Sequence, residues 1–312
     1  MRAGKVLKIL EVAKPTLLRK VEENFPDIDK TVSGENIFRW KHITKLSYLK
    51  KYGAKLPNNN VISIAQNKGG VGKTSSVINL AHLFSYLGRT LVIDLDSQSN
   101  LSQSFGIYLT EKDLSLSDVF ENPEVIKDTL KNIQPNLDLL PNHLKFEKWL
   151  KNNKDKKHKP FTLKKALKSI KDDYDFIIID TPPSLAFALE MGLYASNYCI
   201  IPFQAHPFAM DGIINIIDEI KTISKKDETG NFDLEILGVF VNNYEENVLF
   251  NQIAGHIENS NKFNVFKTKI RKTVAIPQSQ AVKQSVFDFD ENAKVCYEYF
   301  DLFFEILNKI IK

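Results

Sequence analysis

No apolar run in these 312 residues approaches the ~20 needed to cross a bilayer, so a transmembrane helix is not expected. Cysteine is scarce. Two in so long a chain make no disulfide framework, and Cys199, within YCIIPF, and Cys296, within a helical pattern, are expected to be buried and inert. The opening MRAGKVLKILEV carries early positive charge but breaks at Glu11 without a long apolar core, so no signal peptide is expected and the compartment is expected to be the cytoplasm. Internal repeats and low-complexity tracts are missing too. Neither sign of charge dominates: 42 Lys and Arg against 38 Asp and Glu leave a formal +4. Composition, 43% hydrophobic and 26% charged, is that of a soluble globular protein. The length suits one α/β domain with a smaller appendage.

From Val61 onward, short β-branched apolar runs alternate with longer helical patterns. The candidate strands are VISIA (61–65), TLVIDLD (90–96), LDLL (137–140), DFIIID (175–180), YCIIPF (198–203), LEILGVFVN (234–242) and NVFKTKI (264–270). Continuous apolar strands separated by helical lengths predict a mostly parallel sheet covered on both faces. SSVINLAHLFSYLG has helical spacing and a stop at Gly88. The last helix, ENAKVCYEYFDLFFEILNKIIK, is apolar on one face and is expected on the sheet edge. Residues 1–58 hold no buried-type strand and read as a small, mainly helical domain. They end in the turn-rich KYGAKLPNNN, a linker to the α/β domain over 59–312.

The chemistry concentrates in Gln66-Asn67-Lys68-Gly69-Gly70-Val71-Gly72-Lys73-Thr74-Ser75, between a strand and a helix. Glycines let the backbone turn tightly, so several N–H groups point into one concavity. The following helix adds its positive dipole end to that spot. Lys73 reaches β- and γ-phosphates, and the Thr74 hydroxyl suits Mg²⁺. Asn67 stands where the usual GxxxxGK[ST] pattern begins with glycine, followed by an extra lysine, Lys68. Asp94 and Asp96 end one strand and Asp180 ends another, where ligands bind in open α/β sheets. With a phosphate loop present, these acids point to Mg²⁺, held directly or through water; otherwise they would cap neighbouring helices.

KGGVGKTS, DLDSQ and IIIDTPPS resemble the deviant Walker A, Walker A′ and Walker B motifs of ParA/MinD ATPases, P-loop NTPases of α/β fold. The similarity extends to IPFQAHPFAMDG (201–212) and IRKTVAIPQSQA (270–281), and so covers about residues 61–312. It implies an ATP-dependent sandwich homodimer with a weak ATPase that uses ATP and Mg²⁺. Residues Lys68 to Ser75 (Lys68, Gly69, Gly70, Val71, Gly72, Lys73, Thr74, Ser75) would bind the nucleotide. Lys68 would be the signature lysine reaching across the dimer, and Lys73 the Walker lysine. Thr74 and Asp180 would serve the metal, with Asp94 beside them, and Asp96 would orient the attacking water. A lysine donated across an interface would tie hydrolysis to dimerisation. Ser97 departs from the usual proline of DxDPQ. IRKTV stands where relatives often read IPRNV, whose residues touch the nucleotide base; that role would fall to Arg271 and Thr273.

The resemblance also implies partition of plasmid or chromosomal DNA on the nucleoid, with a ParB-like partner. The loop NNYEENV lacks the arginine that some relatives use on DNA, which shifts the DNA-binding role to Lys267, Lys269, Arg271 and Lys272. A second lysine-rich stretch, Lys145 to Lys171, is either a solvated face or another phosphate contact. Residues 1–58 resemble the winged helix-turn-helix module of some plasmid ParA proteins, which would allow autorepression. KPTLLRKVEENF would be the recognition helix, with Arg19 and Lys20 facing DNA and Leu17, Leu18 and Val21 behind. SGEN would turn a small wing, and FRWKHITKLSYLKK would begin with a strand end and continue as a supporting helix. The alternative for this segment is a helical dimerisation or packing appendage. For the whole chain it is a MinD-like membrane switch, which the C-terminal helix suits poorly because Asp301 and Glu305 share its polar side with Lys309 and Lys312. A transcription factor with an ATP-set oligomeric state is a third reading. An iron-protein reductase is disfavoured by the positions of both cysteines.

Overall fold

The computed structural model describes residues 1–153, 159–183, 187–226, 232–260 and 262–311. The Val- and Ile-rich runs form strands because a strand covered on both faces needs no polar alternation. The strands are β1 (Asn60–Ile64), β2 (Thr90–Asp94), β3 (Lys131–Gln134), β4 (Leu137–Leu140), β5 (Phe176–Asp180), β6 (Tyr198–Phe203) and β7 (Glu235–Val241). Every residue of β1, β2 and β5 is buried. Their order across the sheet is β3-β4-β2-β5-β1-β6-β7. All neighbours pair in parallel except β3 with β4.

Three helices precede β1: α1 (Ala3–Leu10), α2 (Lys14–Asn24) and α3 (Trp40–Tyr52). Between β1 and β2 runs α4 (Lys73–Ser85), and between β2 and β3 lie α5 (Asn100–Ser104), α6 (Leu116–Glu121) and α7 (Ile126–Thr129). Next come α8 (Lys145–Asn153) and α9 (Thr162–Leu167) before β5, α10 (Phe187–Ala195) before β6, and α11 (Ala209–Lys226) before β7. The chain closes with α12 (Val248–Asn259), α13 (Ala275–Ala281), α14 (Val286–Phe289) and α15 (Lys294–Ile310). Strand alternation splits the core. Ile62, Ile64, Val92 and Ile178 face α4 and α15, whereas Val61, Leu91, Ile93, Ile177 and Ile179 face α8, α9 and α10.

Three sequence expectations need correction. The stretch 264–270 forms no strand. Only Val265 bridges to Val239, and the backbone N–H groups of Lys267 and Thr268 donate to the Glu305 carboxylate at 2.7 and 2.9 Å, which takes them out of any ladder. Gly238 permits the close approach at this bridge, since a Cβ there would lie 2.6 Å from the Asn264 carbonyl oxygen. β3 went unread because its sequence, KNIQ, is polar; it is a half-exposed edge strand turned back on β4 through Asn136, at φ 63°. Finally, α15 lies beside α4 on a face of the sheet, not on its edge, with Phe303 against Phe84 at 4.8 Å. Both cysteines are buried.

In the N-terminal segment, α1 and α2 join through a left-handed residue, Glu11. Leu17 and Val21 point inward, but Leu18 is 41% exposed and does not join the apolar back expected of it. A turn at Thr31–Glu35 closes with an antiparallel bridge between Lys30 and Asn36, where a wing was expected. α3 begins directly at Trp40. The Trp40 ring meets Phe287, Tyr297 and Phe300 at 5.5, 4.9 and 5.3 Å, and its Nε1 donates to the Glu291 carbonyl at 2.9 Å. The apolar core therefore runs without a break from α1–α3 into α4 and α15.

Candidate functional site: the phosphate loop

The loop from Gln66 to Gly72 is pinned from the C-terminal ends of three neighbouring strands. Gln204, after β6, donates from Nε2 to the Gly70 carbonyl at 3.0 Å. Asn242, just past β7 and buried, donates from Nδ2 to the Val71 and Gly72 carbonyls at 2.8 and 3.3 Å. Thr181, after β5, donates to the Ile64 carbonyl where the loop begins. Gly72 adopts φ 83°, and a Cβ there would lie 2.2 Å from Asn242 Nδ2. That glycine is needed twice, for its backbone and for the space beside it.

Lys73 opens α4 and is buried. Its Nζ donates to the Lys68 carbonyl at 3.3 Å, closing the loop on itself. Burial holds its pKa below the usual lysine value, opposed by Asp180 and Asp96. The Thr74 hydroxyl donates to Asp180 Oδ2 at 2.7 Å. Asp180 Oδ1 is buried and has no hydrogen-bond partner among the described residues. Burial, then the charge of Asp94, hold the Asp180 pKa well above the carboxylate range. A buried carboxylate oxygen lacking a donor, beside a threonine hydroxyl, fits a hard divalent cation, which would favour the ionised form. Thr74 and Asp180 are thus suited to Mg²⁺.

Asp94 pairs with Asp180 across β2 and β5, but its oxygens are already engaged. Oδ2 accepts from the N–H and hydroxyl of Ser102 at 2.8 and 2.7 Å, and Oδ1 from the Asp96 N–H at 3.2 Å. Burial raises its pKa to about 7. These bonds anchor α5 and the turn after β2. Asp96 lies in the wall of the loop's cavity, its Oδ1 accepting from the Gln98 N–H at 3.0 Å. Ser97, where proline was usual, donates to Glu147 at 3.1 Å, and Asn142 holds the Asp96 carbonyl at 3.2 Å. The acid is held in place without the proline.

The cavity measures about 490 Å³ and is lined by Gly69, Gly70, Gly72, Lys73, Thr74 and Ser75 on the loop side. The remaining lining includes Asp96, Gln103, Asn243, Gln280 and Lys283. Lys68 is exposed and outside that lining. Arg271 and Thr273 do not line the cavity either. The Arg271 guanidinium and backbone N–H are bound to Glu298, and Thr273 Oγ1 accepts from the Ala275 N–H. Gln280 and Lys283, further along the chain, do line the cavity. Sequence reasoning missed these two and Asn242; for Asn242 the available signal was its position at a strand's C-terminal end.

The expected DNA-contacting side chains are exposed or half-exposed but mostly paired. Lys269 meets Glu258 at 2.9 Å, Lys272 meets Glu245 at 2.7 Å, and Arg19 meets Glu23 at 3.8 Å. For Lys267 and Lys20 no ion pair is formed among the described residues. In the Lys145 to Lys171 stretch, Lys145 bridges to Asp118 at 2.7 Å. Residues 154–158 of that stretch, Ser184 of IIIDTPPS and Lys312 lie outside the described residues.

Residues 59–236 match the AAA domain family. The chromosome-partitioning ATPase Soj of Treponema pallidum is 30% identical over 243 residues, which cover 77% of this chain and 94% of Soj. The structure of a putative plasmid partition protein from Borrelia burgdorferi bound to AMPPNP is similar at TM-score 0.69 and 27% identity, covering 80% of this chain and 99% of that one. Cobyrinic acid a,c-diamide synthase from Mycobacterium smegmatis, with a bound ATP analogue and magnesium, is similar at TM-score 0.69 and 25% identity, covering 80% and 94%. Nucleotide and magnesium thus occupy relatives of this fold. Together with the phosphate loop and its acids, these similarities show that the chain belongs to the ParA/MinD family and is an ATPase of the partition type.

Proposed function

We propose that this ATPase is a DNA-partition switch. ATP and Mg²⁺ bind at the loop, two subunits close over the nucleotides, and Lys68 of each reaches the phosphates of the other. The exposure of Lys68 carries this reading: its carbonyl is tied down by Lys73 while its side chain stays out of its own cavity. Asp96 positions the attacking water, and loss of the γ-phosphate releases the dimer.

The dimer binds DNA without sequence preference through Lys267, Lys269, Arg271 and Lys272, on the cytoplasmic nucleoid, and a ParB-like protein stimulates hydrolysis. Carboxylates already neutralise three of those four residues, so DNA phosphates displace Glu258, Glu298 and Glu245. Residues 1–58 form the operator-reading, autorepressing module, with α2 as its recognition helix and Arg19 and Lys20 facing DNA. No helix among the described residues is long and apolar enough to cross a membrane. The apolar face of α15 is spent on the protein's own core, which removes support for membrane attachment.

Gel shifts of the full chain on promoter and random DNA, with and without ATP, test both activities. Truncation would uncover the aromatic core under α3, so charge reversal is the cleaner tool. Lys267→Glu with Lys272→Glu is expected to weaken ATP-dependent binding on every sequence, and Arg19→Glu with Lys20→Glu to abolish promoter preference alone. Promoter preference that survives the second pair would overturn the N-terminal assignment.

A further inference from the structure

Lys283 adopts left-handed backbone, at φ 60°, just after α13. The Gln284 N–H donates to the Ser279 carbonyl at 2.9 Å and the Lys283 N–H to the Gln280 carbonyl at 3.1 Å. These are the paired bonds of a Schellman helix end, whose left-handed position ordinarily holds glycine or asparagine. A lysine there bears a steric cost that glycine avoids. Strain of this kind persists where the surroundings impose it, and it gathers at functional sites.

The side chain is directed. Its stem packs on Gly106, where an added Cβ would meet Lys283 Cγ at 3.6 Å, and its ammonium lies 5.4 Å from the centre of the Tyr108 ring. Lys283 lines the phosphate-loop cavity. Consecutive helical residues point about 100° apart. Thr74 turns toward Asp180, whereas Ser75 Oγ accepts from Gln280 Nε2 at 3.3 Å. The end of α13 therefore closes the cavity on a different side from the metal-binding carboxylate.

We propose that Lys283 is a nucleotide-binding residue. It supplies a second cation inside the cavity, after Lys73, to a phosphate that ATP and ADP share, while Gln280 holds α13 against Ser75. This rests on the ATP-binding assignment of the same cavity. Displacement titrations of a fluorescent nucleotide by ATP and by ADP, on the full chain, test it. Lys283→Gly is expected to weaken both nucleotides alike, by about tenfold, as loss of one charge-assisted hydrogen bond does. The same variant is expected to raise the melting temperature of the nucleotide-free protein, because glycine relieves the left-handed strain. Lys283→Arg, which keeps the charge, is expected to keep the affinity. Unchanged or tighter binding by Lys283→Gly would reduce the lysine to a helix end and overturn the proposal. Weakening confined to ATP would overturn the assignment to a shared phosphate. A parent protein that bound neither nucleotide would instead overturn the cavity itself.

Discussion

The phosphate loop and the junction of α1–α3 with α15 are each anchored by buried side chains, Lys73 and Asn242 at the first and Trp40 at the second, yet they are held by opposite means. Around the loop the contacts are polar: Asn242 and Gln204 on loop carbonyls, Lys73 on the Lys68 carbonyl, Ser102 on Asp94. At the junction they are aromatic, with Trp40 against Phe287, Tyr297 and Phe300, and Tyr52 stacked on Phe304. A polar lattice holds charges in position for a ligand. Aromatic packing holds two elements together without preparing chemistry. Substitutions in the first region are expected to change nucleotide handling more than stability, and substitutions in the second to do the reverse.

The largest effect is expected at Lys73. Lys73→Ala removes the cation that balances the phosphates, and Mg-ATP binding should vanish in a fluorescent-analogue titration. The melting temperature should hold or rise, because a desolvated ammonium goes with it. Near-normal affinity would sink the phosphate-loop assignment. Trp40→Ala should act the other way round, costing about 3–5 kcal/mol of stability, as large-to-small aromatic changes in a core do. Chemical denaturation measures that cost, and ATP affinity should stay as in the parent. A variant that melted normally would break the contrast between the two regions.

Asn242→Ala sharpens the contrast because it touches both properties. It strips the partner from two loop carbonyls, for about 1–3 kcal/mol, and leaves space beside Gly72. Stability and nucleotide affinity should fall together. A loss in stability alone would mean that the loop keeps its shape without this side chain.

The smallest effect concerns pH in the N-terminal segment. His42 Nδ1 accepts from the Arg39 N–H at 3.0 Å at the start of α3, and burial, then Lys41 and Arg39, lower its pKa to about 4. An unfolded histidine has pKa ~6.5, so between ~6.5 and 4 the unfolded chain binds more protons than the folded one. The stability this group contributes is present above pH ~6.5 and is lost as pH falls through that window. His42→Gln should flatten the pH dependence of melting there, and an unchanged slope would assign it to other groups.

The parallel sheet was legible because strands buried on both faces leave unbroken apolar runs, as in FIIID and YCIIPF. The loop was legible because glycines, a lysine and a threonine at that spacing have few other uses. What stayed hidden depends on long-range geometry. NVFKTKI has strand character, but Glu305 on α15 claims the N–H groups that a ladder would need. Arg271 suited a base contact until Glu298, 27 residues on, was found bonded to it. Gln280 and Lys283 carry no local signal; only the fold brings them to the cavity. The turn-rich stretch between α3 and β1 was visible, whereas the aromatic core that residues 1–58 share with α15 was not.

The central claim is that Lys68 serves the opposite subunit. Light scattering of Asp96→Ala, alone and combined with Lys68→Ala, tests it most directly in the presence of Mg-ATP. Asp96→Ala should slow hydrolysis, by on the order of a thousandfold, and so hold the protein with ATP bound. The account predicts a dimer for the single variant and a monomer for the double variant, both with nucleotide bound. Dimers in both cases, or monomers in both, would contradict it.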